Sequence, residues 1–149
     1  MPAASEPAAN EIVSSRLFAA PRVQVFQAWI DPLLLARWWG PDGFTNTFRT
    51  FEPRAGGTWS FTMHGPNGVD YPNESAFVEV AAPERIVLDH LSAPRFRITA
   101  TFTGQGGGTF LVFRMTFPDA ETCAKLRALI VPSNEQNFDR LAAVLATSG

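Results

Sequence analysis

The hydrophobic period along the chain switches between the helical 3.6 and the strand value of two. Residues 11 to 19, EIVSSRLFA, are rich in β-branched and aromatic types and end at Ala20-Pro21, which predicts a first strand. Pro21 suits the first turn of a helix, and Val23, Phe26, Ala28, Trp29 and Ile30 include i, i+3 pairs, so Arg22 to Ile30 is expected to be helical. Asp31-Pro32 supplies an N-cap and a helix-starting proline for a second short helix, Pro32 to Trp39. Gly40-Pro41 stops it, because a glycine can turn left-handed and the proline cannot continue.

From residue 44 the period is two. Strand-like runs fall at Thr45 to Phe51, Thr58 to His64, Asn73 to Val80, Arg85 to Leu91, Arg95 to Thr103 and Thr109 to Phe117, with turn signals such as Gly65-Pro-Asn-Gly68 between them. The triple glycine at 106 to 108 lies between two such runs and opens no helix, so it predicts a hairpin turn and not a phosphate loop. Phe96, Ile98, Ala100 and Phe102 alternate with Arg95, Arg97, Thr99 and Thr101, which gives the sheet one dry and one wet face. Leu111, Phe113, Met115 and Phe117 repeat the pattern, as do Trp59, Phe61 and Met63. Beyond Pro118 the helical period returns in Cys123, Leu126 and Ile130, then in Phe138, Leu141, Ala142 and Leu145. Pro132 predicts a break or kink in that helix, with Ser133 to Gln136 as a capping box that restarts it.

The order is strand, two short helices, six strands and a long helix. This predicts an α+β fold in which a curved seven-stranded antiparallel sheet wraps around the C-terminal helix, with the short helices between strands 1 and 2. The space between sheet and helix is a natural pocket. Residues 11 to 149 are expected to form one domain, preceded by a flexible tail at 1 to 10.

Composition narrows the function. Twelve Lys and Arg stand against fourteen Asp and Glu with no basic run, which argues against nucleic acid. Thirteen Phe and four Trp against a single Tyr suit an apolar interior or cavity. One cysteine, Cys123, excludes an intramolecular disulfide, and no metal or phosphate motif occurs, so neither a metal nor a cofactor is expected. No apolar run approaches the roughly 20 residues of a membrane span. A cytoplasmic protein is the expectation, and a homodimer is compatible with an exposed sheet edge.

A set of short motifs brings in a resemblance: Ala20-Pro21, Val25-Phe-Gln-Ala-Trp29, Leu35-Ala-Arg-Trp-Trp-Gly-Pro41, Arg54-Ala-Gly-Gly-Thr-Trp59, Asp70-Tyr-Pro-Asn73, Pro83-Glu-Arg-Ile-Val87, Gly107-Gly-Thr109 and Glu135-Gln-Asn-Phe-Asp-Arg-Leu141. In this order they resemble the activator of heat-shock-protein-90 ATPase homologue-like family, within the START-like, birch-pollen-allergen-like superfamily. The resemblance spans roughly residues 11 to 146. It implies a helix-grip fold with a cavity for a hydrophobic small molecule, and a membership that includes binders, carriers and enzymes.

The expected ligand-binding side chains are Trp38, Trp39, Trp59, Phe61, Met63, Phe96, Phe102, Phe113, Met115 and Phe138, because core and cavity wall share one sheet face. Of Trp38 and Trp39, one is expected in the core and the other at the cavity mouth. The acid–base candidates are Glu74, His90 and Tyr71. Counting back in twos from Val80 through Val78 and Ala76 puts Glu74 on the inner face, where burial raises a carboxyl pKa. His90 shares a parity with Ile86 and Leu88. A binding or carrier protein for a small hydrophobic molecule is the leading expectation. A cofactor-independent cyclase- or hydrolase-like enzyme and a chaperone-binding module are the alternatives.

Overall fold

In a computed structural model, residues 7–148 are described. The first six residues of the expected tail lie outside them. Asn10 is tied to the fold, its backbone oxygen accepting from the Phe117 amide at 2.9 Å and its side-chain amide donating to the Phe117 carbonyl at 2.8 Å.

The elements are β1 (Glu11–Phe18), α1 (Arg22–Ile30), α2 (Pro32–Trp38), β2 (Thr45–Phe51), β3 (Thr58–His64), β4 (Asp70–Ala81), β5 (Arg85–His90), β6 (Phe96–Gln105), β7 (Gly108–Thr116) and α3 (Ala120–Ser148). All seven strands join one antiparallel sheet in the order β1-β7-β6-β5-β4-β3-β2. The α+β helix-grip architecture is therefore present. α2 begins as its sequence requires: the Asp31 carboxylate accepts from the Leu33 amide at 2.9 Å, with Pro32 in the first turn. Gly40 takes φ 101°, the left-handed turn that ends the helical segment. The β6–β7 hairpin closes through Gly106 and Gly107, both at positive φ, between the paired Gln105 and Gly108. Among the described residues no helix is long and apolar enough to cross a membrane.

Two bulges decide which residues face inward. In β2 the register shifts between Phe48 and Thr50, so Arg49 is the extra residue, and Phe48 and Phe51 both pack on the core. In β4 it shifts between Phe77 and Glu79, leaving Val78 unpaired and exposed. A bulge inserts one residue and inverts the alternation beyond it. Ser75 and Phe77 are accordingly buried before the bulge and Val80 packs inward after it. Counting back from Val80 thus misplaces Glu74, which is exposed.

α3 also departs from expectation. It runs unbroken from Ala120 to Ser148 with Pro132 inside it. No restart occurs at Ser133; its hydroxyl donates back to the Leu129 carbonyl at 2.8 Å. The C-terminal half of α3 buries Phe138, Leu141, Val144 and Leu145, while Arg16 of β1 stitches it down through Glu135 and Asp139 at 2.8 and 2.7 Å.

Candidate functional site

The interior is an aromatic cluster built by four elements. α1 supplies Trp29, the end of α2 supplies Trp38 and Trp39, β3 supplies Trp59 and Phe61, and β7 supplies Phe113. Trp39 is central: its ring centroid lies 5.8 Å from Trp29, 5.5 Å from Trp38, 5.1 Å from Trp59 and 6.4 Å from Phe113. Both Trp38 and Trp39 are buried, which corrects the expectation that only one turns inward. Trp39 is the C-cap residue, with φ −69° and ψ 129°, so the chain has left the helix there and the helical angle between neighbours no longer applies. Phe102 and Phe138 are buried in the same core, as is Met115; Met63 and Phe96 are half-buried at its border.

Polar atoms inside this cluster are unevenly served. The Trp38 indole donates to the Ala28 carbonyl at 2.9 Å. The indole nitrogens of Trp29 and Trp59 are buried and meet no acceptor, and the Asn46 side-chain oxygen meets no donor. Buried indole donors normally find a partner. Trp29 was not singled out in the sequence because its helical spacing marks only a core position.

α3 grips the loop that holds Trp39. The Arg140 guanidinium donates to the carbonyls of Gly40, Pro41 and Trp39 at 2.7, 3.0 and 3.3 Å, and to those of Arg37 and Phe44 at 3.0 and 2.9 Å. Burial pulls its pKa below the usual arginine value, partly opposed by the Asp42 charge. Asn137 accepts from the Gly40 amide at 2.8 Å and Gln136 from the Asp42 amide at 3.0 Å. These residues fall in the Glu135 to Leu141 motif, whose periodicity gives no hint of a clasp.

A second polar group borders the inner face where β4 and β5 pair. His90 sits opposite Ser75 and Phe96, its ring stacked on Phe96 at 4.5 Å. Its Nδ1 lies 2.9 Å from the Pro94 carbonyl, so Nδ1 bears the proton of a neutral ring. Nε2 is then an acceptor, served by the Ser92 hydroxyl at 3.3 Å. The Asn73 side-chain oxygen stands 2.6 Å from Nε2 while its nitrogen donates to the Tyr71 carbonyl at 2.8 Å, so this short contact is a hydrogen bond only when Nε2 carries a proton as well. Desolvation is the main effect on this ring and lowers its pKa, against the hydrogen bonds at Pro94 and Ser92 that raise it.

The other acid–base candidates do not join His90. Glu74 turns to the outer face, its carboxylate accepting from the Ser60 hydroxyl at 2.6 Å and from Arg49 at 2.9 Å. Tyr71 is exposed, its ring 5.9 Å from Phe44. Only its backbone connects to the histidine, through the Asn73 amide that donates to the Tyr71 carbonyl at 2.8 Å. Cys123 is buried, with its sulfur 3.6 Å from Arg127. Among the described residues no three His, Cys, Asp or Glu side chains come together as a metal site.

A curved sheet gripping one long helix over an aromatic interior defines a helix-grip protein. The chain belongs to the family described as activator of Hsp90 ATPase homolog 1-like protein, whose family model matches residues 19–146. Solved structures show the same fold. Protein NE0264 from Nitrosomonas europaea is 18% identical, with 96% of this chain and 98% of that one covered at a TM-score of 0.89. A Rhodobacter sphaeroides protein is 24% identical over 96% and 97% at 0.88. The AHSA1 protein from Silicibacter pomeroyi is 19% identical over 93% and 99% at 0.75. No match to a curated protein was found.

Proposed function

We infer that the protein binds a small, mostly apolar molecule between its sheet and α3, as a carrier or sequestering protein. The observation behind this is the pair of buried indole N–H groups that meet no acceptor, on Trp29 and Trp59, whose rings both pack against Trp39. An unpaired buried donor costs about 1–3 kcal/mol, and a guest oxygen would recover much of it. The favoured guest has an apolar body and one carbonyl-type acceptor. Family membership is in keeping with this, and the lone buried Cys123 suits a reducing compartment such as the cytoplasm.

Native mass spectrometry with solvent extraction of the purified chain tests for a retained molecule. Tryptophan fluorescence titrations with acetophenone and ethylbenzene test the donor. The ketone is expected to bind about three- to tenfold more tightly, the size of one hydrogen bond, and Trp59→Phe or Trp29→Phe to abolish that preference. A protein that purifies empty and binds neither probe nor an anilinonaphthalene fluorophore does not have this function. Saturable binding to Hsp90 by such an empty protein would move the role to chaperone interaction, which the family description names. Cyclase- or hydrolase-like chemistry has only His90 of its three candidates bordering the interior, and no reaction step is assigned to it.

A further inference from the structure

A separate, solvent-open cleft of about 250 Å³ lies where β5 stops, β6 begins and β7 runs out, and its lining includes no tryptophan and no residue of α3. Half-buried Phe96 and exposed Pro118 give it an apolar floor, with the buried Phe117 ring 5.4 Å from Phe96 beneath them. Asp89, His90, Arg95, Arg97 and Thr116 complete its wall. The two arginines differ in state. Arg97 is held by both oxygens of Asp89, at 2.7 and 3.1 Å, and the pair is neutral as a unit. Arg95 is exposed and has no carboxylate partner among the described residues. Asp119, next after Pro118, is turned away to the backbone and hydroxyl of Thr122 at 2.7 and 3.1 Å. One uncompensated cation therefore stands beside an apolar floor.

We propose that this cleft binds a small aromatic monocarboxylate, with its ring on Phe96 and Pro118 and its carboxylate on the Arg95 guanidinium. The guanidinium fork matches a carboxylate with two parallel hydrogen bonds. The cleft opens to solvent, and its volume, below the roughly 300–1,000 Å³ of drug-sized pockets, offers contact to about one ring. Inorganic phosphate would use Arg95 and leave the floor wet; a neutral arene would use the floor and leave the cation unserved.

The test is an amide and histidine-ring NMR titration of the full chain with sodium benzoate, benzyl alcohol and inorganic phosphate. Benzoate is expected to shift His90, Phe96 and Thr116 saturably, with the alcohol and phosphate each about tenfold weaker. Arg95→Gln is expected to weaken benzoate about tenfold and leave benzyl alcohol unchanged, and Arg95→Lys to fall between. Arg95 is exposed, so neither variant threatens the fold. Benzoate shifts confined to the Trp39 and Trp59 interior, unchanged affinity in Arg95→Gln, phosphate binding as tight as benzoate, or no shift at all would each overturn the proposal. The outcome is independent of whether the interior binds a neutral guest.

Discussion

Arg140 of α3 and Gly40 of the α2–β2 loop are joined by a 2.7 Å hydrogen bond from guanidinium to carbonyl, and the same guanidinium reaches four further carbonyls between Arg37 and Phe44. Among the described residues no carboxylate is hydrogen-bonded to it; a run of backbone dipoles receives it instead. This fixes the loop that delivers Trp39 to the centre of the aromatic cluster. Arg140→Ala is expected to lose about 2–3 kcal/mol, the scale of charged hydrogen bonds to partly buried acceptors. Arg140→Lys should recover only part, because an ammonium cannot fork across the loop. Urea denaturation at constant m reads both values, and equal midpoints for the wild type and the alanine variant would show that the clasp adds nothing.

Pro132 lies inside a helix that continues past it, on an exposed face. It has no N–H for the Ala128 carbonyl and its ring crowds that turn. Pro132→Ala removes no packing and restores a hydrogen bond, offset by the greater freedom of the unfolded chain. A net gain of about 1–2 kcal/mol is expected. A lower denaturation midpoint for the variant would mean that the proline is fitted to its site by something other than helix geometry.

Most of the fold was legible because each element announces its own boundary. Asp31-Pro32 starts α2, Gly40 ends the turn after it, and the triple glycine closes the last hairpin. The misplacements share one cause, since local pattern does not encode what happens between elements. The β4 bulge inverts an alternation that is locally unremarkable, and so moved Glu74 from the inner face to the outer. Pro132 is tolerated because α3 is anchored further along, by Phe138, Leu141 and Arg140. Trp39 turns inward because a cap residue has left the helix. The apolar half of the candidate site could be read from strand parity. Its polar half, Asn73, Ser75, Asn137 and Arg140, could not, since such residues look like ordinary surface until their partners across the fold are known.

His90 makes stability depend on pH in a defined direction. In the unfolded chain a histidine titrates near pH 6.5, and burial holds the folded ring below that. Between the two values the unfolded state binds more protons, so the contribution is complete above about pH 6.5 and is lost as pH falls through the folded value. Comparing denaturation midpoints at pH 7.5 and 5.5 should give a larger drop for the wild type than for His90→Gln. His64, paired with Asp70 at 2.7 Å on the exposed face, is present in both proteins and cancels. Equal drops would show that His90 contributes no pH dependence. Asn73→Asp, which sets a carboxylate beside Nε2, should move the ring's titration upward in histidine NMR spectra.

Glu74 separates a binding protein from one that uses this carboxylate chemically. Its side chain is 48% exposed and faces Arg49 and Ser60 on the outer side of the sheet, while its neighbour Ser75 is the inward residue. Solvent screens the Arg49 pair, so Glu74→Gln should cost less than about 1 kcal/mol. It should also leave the affinity for acetophenone within about twofold, because an exposed charge on the far face of the sheet contributes little to an interior guest. Trp59→Phe, one strand away and on the inner face, should change the same titration. If Glu74→Gln instead weakened binding tenfold while its denaturation midpoint stayed in place, the outer face with Arg49, Ser60 and Glu74 would be the ligand site, and the aromatic interior would be core alone.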